Sequence, residues 1–360
     1  MPIIINLTDN ILTGIIKTKY VINLFSAIYA IKNIQMKGNT LFNIVGNTPL
    51  VKLNKINPAK NVEIYVKLEF FNPSGSVKDR IVKHIIDNAE RNGLLKPGGT
   101  IVENTSGNTG AAVAMIAAIK GYKAILTMPD KVSEEKQNAL KAYGAEIVVT
   151  PTSALPNSPE HYVNTAIRIA EETPNSFRIN QYDNLLNPEA HYLTTGPEIW
   201  EQTEGKVTHF VAAGSTGGTI SGTAKFLKEQ NPNIKVLMPD PVGSIYYDYF
   251  KTGKYDLSSA CTYHVEGVGE DHIAKAMDFS LVDEMYKFTD QDAFSVARQL
   301  AKTEGIFGGG TGGANVWAAL KLAETLTEPA VIVTIIPDSG VKYLSKLYND
   351  KWMKDNNFSV

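Results

Sequence analysis

The chain has 360 residues, 43% of them hydrophobic and 20% charged, with a formal net charge of −2. That length suits roughly two domains or lobes with substantial cores, and the near-neutral charge excludes an electrostatic footprint for nucleic acid or an acidic membrane. The single cysteine, Cys261, excludes an internal disulfide and fits a reducing cytosol, and no cysteine–histidine cluster has metal-ligand spacing, so no metal is expected.

Residues 1–40 are rich in Ile and Asn and carry a mildly apolar run from Tyr20 to Ile31. The run is too short to span a bilayer and lacks a cleavage pattern. We read these residues as an accessory leader, with Met36 as an alternative start, in preference to a membrane-surface helix.

From Leu41 onward short β-rich runs alternate with helical patterns. Val62 to Leu68 reads as a strand, and Ile81, Val82, Ile85, Ile86 and Ala89 mark one face of a helix that stops near Gly93. Thr100 to Glu103 is a strand, followed by a small-residue helix from Ala111 to Lys120 and a strand from Ala124 to Met128. A helix over Glu134 to Tyr143 leads to a strand over Ala145 to Thr150, and Pro151 to Pro159 is a turn-rich surface loop. A second such rhythm begins with the strand His209 to Ala213 and the helix Ile220 to Gln230, then continues with the helix Asn315 to Leu326 and the apolar strand Val331 to Ile336. This βαβ pattern predicts mostly parallel sheets with helices on both faces, in two α/β lobes sharing one cleft.

In such sheets ligands sit beyond the carboxyl ends of the strands. Lys78 stands where the polar loop Asn72-Pro73-Ser74-Gly75-Ser76-Val77 becomes a helix, near the positive end of its dipole. That position disfavours an ammonium, and a partly desolvated site would free the amine as a nucleophile or base for Schiff-base chemistry; the competing reading is a solvated lysine. In Gly214-Ser215-Thr216-Gly217-Gly218-Thr219 the glycines admit an anion to the backbone, and the helix N-terminus suits phosphate. Thr105-Ser106-Gly107-Asn108-Thr109-Gly110 offers hydroxyls and N–H groups to a substrate carboxylate and Asn108 to a ring oxygen, where a helix cap explains only part of the set. Gly308 to Gly313 admits a flat ring closely, with Thr311 offering a neutral hydroxyl to a ring nitrogen and Pro337-Asp338-Ser339 closing that corner.

A lysine, a phosphate loop and two loops fitted to a flat heteroaromatic ring together suggest pyridoxal 5′-phosphate. The run Asn72 to Arg80 with Thr105 to Gly110 resembles the β-family of pyridoxal-phosphate enzymes, the cysteine synthase and cystathionine β-synthase group, from about Leu41 to Phe358. Pro151 to Glu160, Asn180-Gln181-Tyr182, Asn187 to Tyr192, Asp240 to Ser244, Val265 to Asp271 and Leu347 to Met353 are most similar to cystathionine β-synthase. Ser215 stands where the family usually has glycine, and Thr311 where it usually has serine.

The resemblance implies fold type II: a homodimer of two-lobed subunits with the cofactor between the lobes. The larger lobe would comprise residues 41–69 and 188–360, and the smaller, mobile lobe 70–187. Lys78 is then the cofactor-bearing residue and the base at Cα. Asn108, Ser215, Thr216, Gly217, Gly218, Thr219, Thr311, Pro337 and Asp338 complete the cofactor site, and Thr105, Ser106, Gly107, Asn108, Thr109, Gln181 and Gly267 hold the substrate.

The implied reaction is β-replacement on L-serine or an O-activated serine by a thiol. Homocysteine leads, with sulfide and O-acetylserine, or a 2,3-diaminopropionate-precursor synthesis, as alternatives. Glu270 and Asp271 suit a second substrate that carries an amine, or are solvated loop charges. A nicotinamide-dependent oxidoreductase using Gly308 to Gly313 and a non-catalytic binding protein are the readings from other classes. Residues 1–40 contain no cysteine or histidine to bind haem, and the chain ends just after the catalytic region. We therefore expect neither haem nor adenosyl-nucleotide activation, and a cytoplasmic location. The histidines at 84, 161, 191, 209, 264 and 272 read as structural or surface residues.

Overall fold

The computed structural model describes residues 38–360 except 106 and 156. The run Tyr20–Ile31, Met36 and the expected substrate residue Ser106 lie outside the described residues. The chain divides into two units, Met1–Ile44 and Val45–Val360. The described part of the first contains a short 3-10 turn, Leu41–Ile44.

In the second unit the strands are β1 (Leu50–Lys52), β2 (Val62–Leu68), β3 (Thr100–Asn104), β4 (Lys123–Pro129), β5 (Glu146–Thr150), β6 (Ser176–Arg178), β7 (His209–Val211), β8 (Lys235–Pro241), β9 (Glu284–Phe288) and β10 (Ala330–Ile336). The helices are α1 (Lys78–Arg91), α2 (Asn108–Lys120), α3 (Glu134–Ala142), α4 (Tyr162–Glu172), α5 (Leu186–Leu193), α6 (Thr195–Gln202), α7 (Gly218–Gln230), α8 (Tyr246–Thr252), α9 (Asp290–Glu304), α10 (Gly310–Thr325) and α11 (Asp350–Asp355).

The strands form a six-stranded sheet, β1-β2-β10-β7-β8-β9, and a four-stranded sheet, β5-β4-β3-β6. Among the described residues only β1 runs antiparallel to its neighbour; every other strand pairing is parallel. The α/β class with mostly parallel sheets is therefore as expected. Parallel strands covered on both faces read as near-continuous apolar runs, and β10 is one. Alternation along it divides the core: Ile332 and Ile336 pack with Val316 and Ala319 of α10, whereas Val333 and Ile335 pack with Ile220 and Ala224 of α7. In α1, Ile81, Val82, Ile85, Ile86 and Ala89 are buried, the predicted stripe, and the helix packs against α2 and α5.

Three expected helix starts move toward the N-terminus. Helix α2 begins at Asn108 and not Ala111, α7 at Gly218 and not Ile220, and α10 at Gly310 and not Asn315. Glycine is a poor helix former, so propensity places these residues in loops. Packing overrides it, because the helices approach their neighbours where no side chain fits. A Cβ on Gly313 would lie 2.0 Å from the carbonyl oxygen of Ala293, and one on Gly218 1.8 Å from Asn187 Oδ1. The strand expected over His209–Ala213 closes at Val211.

Candidate active site

The register of the six-stranded sheet gathers three loops at one edge. Ile336 of β10 pairs with Leu68 of β2, and Thr334 pairs with Val211 of β7. The segments that follow these strands therefore meet: the Lys78 loop, the 212–217 loop and Pro337–Asp338. The N–H of Val77 donates to the carbonyl of Pro337 at 2.9 Å, and Ser76 bridges to Asp338. Lys78, Ser215, Thr216, Gly217, Thr219, Gly267, Thr311 and Pro337 line one pocket.

Lys78 is the first residue of α1. Desolvation pulls its amine below the ordinary lysine range, opposed by the negative charge of Asp338. The helix that carries Lys78 is anchored by a buried ion network. The Arg80 guanidinium grips Glu69 through Nε at 2.7 Å and Nη2 at 2.8 Å, and Glu198 through Nη1 at 2.7 Å and Nη2 at 2.8 Å. Lys67 adds a 2.6 Å contact to Glu198. Burial alone raises the Glu69 carboxyl, but the charge and hydrogen bonds of Arg80 reverse this and hold it at about 2. Asp79, raised by burial to about 6, accepts from the Ser74 N–H and hydroxyl and so braces the lysine loop.

The anion loop is shaped by contacts at its glycines. Gly217 has φ 81°, and a Cβ there would meet that of Met277 at 2.4 Å. On Gly218 a Cβ would lie 1.8 Å from Asn187 Oδ1. The Asn187 amide donates to the Gln181 carbonyl at 2.7 Å and to the Thr216 hydroxyl at 3.0 Å, joining this loop to the expected substrate segment. Buried His191, held well below its ordinary range by desolvation, contacts the Thr219 hydroxyl through Nε2 at 3.2 Å. Ser215 donates to Glu270 at 2.5 Å, and Tyr182 donates to the same oxygen at 3.1 Å. Burial raises the Glu270 carboxyl. Asp271 is exposed; together Glu270, Asp271 and His272 place three ligand-type atoms within 4.8 Å of one another.

Parallel pairing of β3 with β6 brings Thr109 beside Gln181. The Thr109 hydroxyl donates to Gln181 Oε1 at 2.7 Å. Beneath them Glu103, fully buried, accepts the N–H groups of Asn180 at 2.8 Å and Gln181 at 3.5 Å, and desolvation lifts its carboxyl to about 7. Thr105 is buried and takes the Gly107 N–H on its hydroxyl at 3.3 Å. Gly267 is exposed at φ 79° with the Thr311 hydroxyl 3.8 Å from where its Cβ would be.

Thr311 lies in the first turn of α10 and donates its hydroxyl to the Glu266 carbonyl at 2.7 Å. It must release that bond to donate to a ring nitrogen. Glu266 itself binds Lys136 at 2.7 Å and Lys346. Sequence reasoning gave no role to Glu69, Arg80, Glu103, Asn187, Glu266 or Lys342. The one available signal was that each of the five charged ones sits in or beside a loop already singled out, and Asn187 in a segment quoted only for likeness.

The donor set fits pyridoxal phosphate. A desolvated primary amine suits its aldehyde, a glycine-lined helix N-terminus that no Cβ can enter suits its phosphate, and a neutral hydroxyl suits its ring nitrogen. The stretch Gly305–Phe307 before the second glycine run is not a strand, so a nicotinamide fingerprint has no support there. Among the described residues no helix is long and apolar enough to cross a membrane.

Comparison with known proteins agrees. Residues 41–338 match the family described as pyridoxal-phosphate dependent enzyme. Cystathionine β-synthase of Saccharomyces cerevisiae is 44% identical over 330 residues, covering 89% of this chain but 64% of that protein, so this chain spans less than two thirds of its length. A probable cysteine synthase of Bacillus subtilis is 45% identical over 313 residues, covering 86% of this chain and 96% of that one. A crystal structure of O-ureido-L-serine synthase superposes with a TM-score of 0.79 at 34% identity, covering 88% of this chain and 99% of that one. The chain belongs to the pyridoxal-phosphate-dependent enzymes, in the group of the cystathionine β-synthases and cysteine synthases.

Proposed function

We propose that this enzyme catalyses β-replacement on L-serine or an O-activated serine by a thiol, with homocysteine as the thiol and cystathionine as the product. The observation that carries the reading is the desolvated Lys78 amine in one pocket with the glycine-lined anion loop. When bound, the cofactor supplies an electron sink for the carbanion at the amino acid's Cα. Lys78 holds it and moves the Cα proton. The 214–219 loop binds the phosphate through backbone N–H groups. Thr105, Ser106, Gly107, Asn108, Thr109 and Gln181 orient the substrate carboxylate, with Gly267 at the pocket wall. Closure of the smaller lobe, residues 70–187, on the larger, 41–69 and 188–360, excludes water.

Cysteine synthesis from O-acetylserine and sulfide is the second reading, favoured by the near-complete coverage of the Bacillus subtilis relative. From the same likeness we infer a cytoplasmic homodimer. Sedimentation that gives a monomer, or fractionation to a membrane or organelle, would remove that inference.

Borohydride reduction followed by peptide mapping should place the cofactor on Lys78. Product analysis by mass spectrometry with serine or O-acetylserine, against homocysteine and sulfide together, then fixes the nucleophile. If O-acetylserine with sulfide outruns every homocysteine reaction, the lead assignment is wrong.

A further inference from the structure

Lys342 follows the Pro337–Asp338 corner in a 3-10 turn, Gly340–Tyr343. Its ammonium donates to Asn108 Oδ1 at 2.6 Å and to the Gly75 carbonyl at 3.4 Å. Asn108 Nδ2 in turn donates to Asp338 Oδ2 at 2.8 Å, and the Tyr343 hydroxyl donates to the same oxygen at 2.8 Å. Among the described residues Lys342 makes no direct ion pair. Desolvation pulls its amine below the ordinary range, against the charges of Asp338 and Asp79. Holding a half-desolvated cation against a neutral amide is costly, which calls for a reason beyond surface charge.

The chain of contacts fixes the Asn108 amide at both ends. A lysine ammonium has donors and no acceptor, so the atom facing it must be the amide oxygen. The Asp338 carboxylate accepts, so it takes one N–H. Among the described residues the second amide N–H has no partner. A cation on the oxygen of an amide polarises it, and hydrogen bonds in such a chain strengthen one another. We infer that Lys342 is a positioning residue: it locks and polarises the Asn108 amide so that the remaining N–H donates strongly to the ring oxygen of the bound cofactor. This favours the ionised form of the ring hydroxyl. Lys342 touches neither cofactor nor substrate in this role.

The inference rests on the cofactor reading above, and the two fail differently. Loss of that reading shows as no group fixed to Lys78 by borohydride and no visible band. Loss of this one shows as a normal band that ignores position 342. The test is the visible spectrum of the holoenzyme for Lys342→Met and Lys342→Arg, each also combined with Asn108→Ala. Lys342→Met should shift the ratio of the longer-wavelength, ionised-hydroxyl band to the shorter one by about fivefold, the equivalent of one net hydrogen bond. Lys342→Arg should restore part of it, and neither change should matter once Asn108 is replaced. An unchanged ratio in Lys342→Met, or an equal shift in the Asn108→Ala background, overturns the inference. If circular dichroism shows Lys342→Met unfolded, Lys342→Gln against Lys342→Arg reads the same ratio with the same two outcomes.

Discussion

The hydroxyl of Thr109 donates to the side-chain oxygen of Gln181 at 2.7 Å, across 72 residues of sequence. Strand pairing of β3 with β6 makes that meeting possible, and among the described residues the Gln181 amide nitrogen has no side-chain partner, so it can face a carboxylate. Gln181→Ala should therefore raise KM for the amino-acid substrate about tenfold, the value of a hydrogen bond to a charged group. Thr109→Val should do the same by releasing Gln181. Steady-state kinetics on both variants would contradict this if KM stays at the parental value.

Arg80 is the centre of the anchor under Lys78, gripping Glu69 and Glu198 with paired contacts. Arg80→Met leaves the buried Glu69 carboxylate and the partly buried Glu198 carboxylate short of their cation. We expect a loss of about 3–5 kcal/mol in urea unfolding. Lys in its place should recover little, because it lacks the planar fork that reaches both partners.

Gly218 is closed by Asn187, and Asn187 ties the anion loop to the Gln181 segment. The Cβ of Gly218→Ala should push Asn187 away and weaken cofactor retention about tenfold, in keeping with overpacking costs of 1–3 kcal/mol. Gly107→Ala, whose Cβ would meet nothing within 4 Å, is the control and should leave retention unchanged. Fluorescence titration of the apoenzyme with cofactor measures both.

Glu103 titrates at about 7 in the folded state against an ordinary 4.5. Between those values the folded chain holds a proton that the unfolded chain has released. Stability therefore falls as pH rises from 4.5 to 7 and is flat above, by about 3 kcal/mol for this group. Glu103→Gln should remove that slope. Parallel urea profiles for parent and variant across this window would show that burial is not setting the Glu103 proton.

Much of the candidate site was legible because its pieces are local. A period-two stripe marks β2, a continuous apolar run β10 and a helical stripe α1, since each depends only on the composition of its own segment. Likewise, Lys78 at a loop-to-helix junction and the glycine run 214–219 announce their chemistry through short-range composition. What the sequence could not yield is which buried groups meet. The contacts of Arg80 with Glu69 and Glu198, of Thr109 with Gln181 and of Asn108 with Asp338 and Lys342 follow from strand order and register, which no single segment encodes. The early starts of α7 and α10 have the same origin: close approach of a neighbouring segment outweighs the helix-breaking preference of glycine, and that approach exists only in the folded protein.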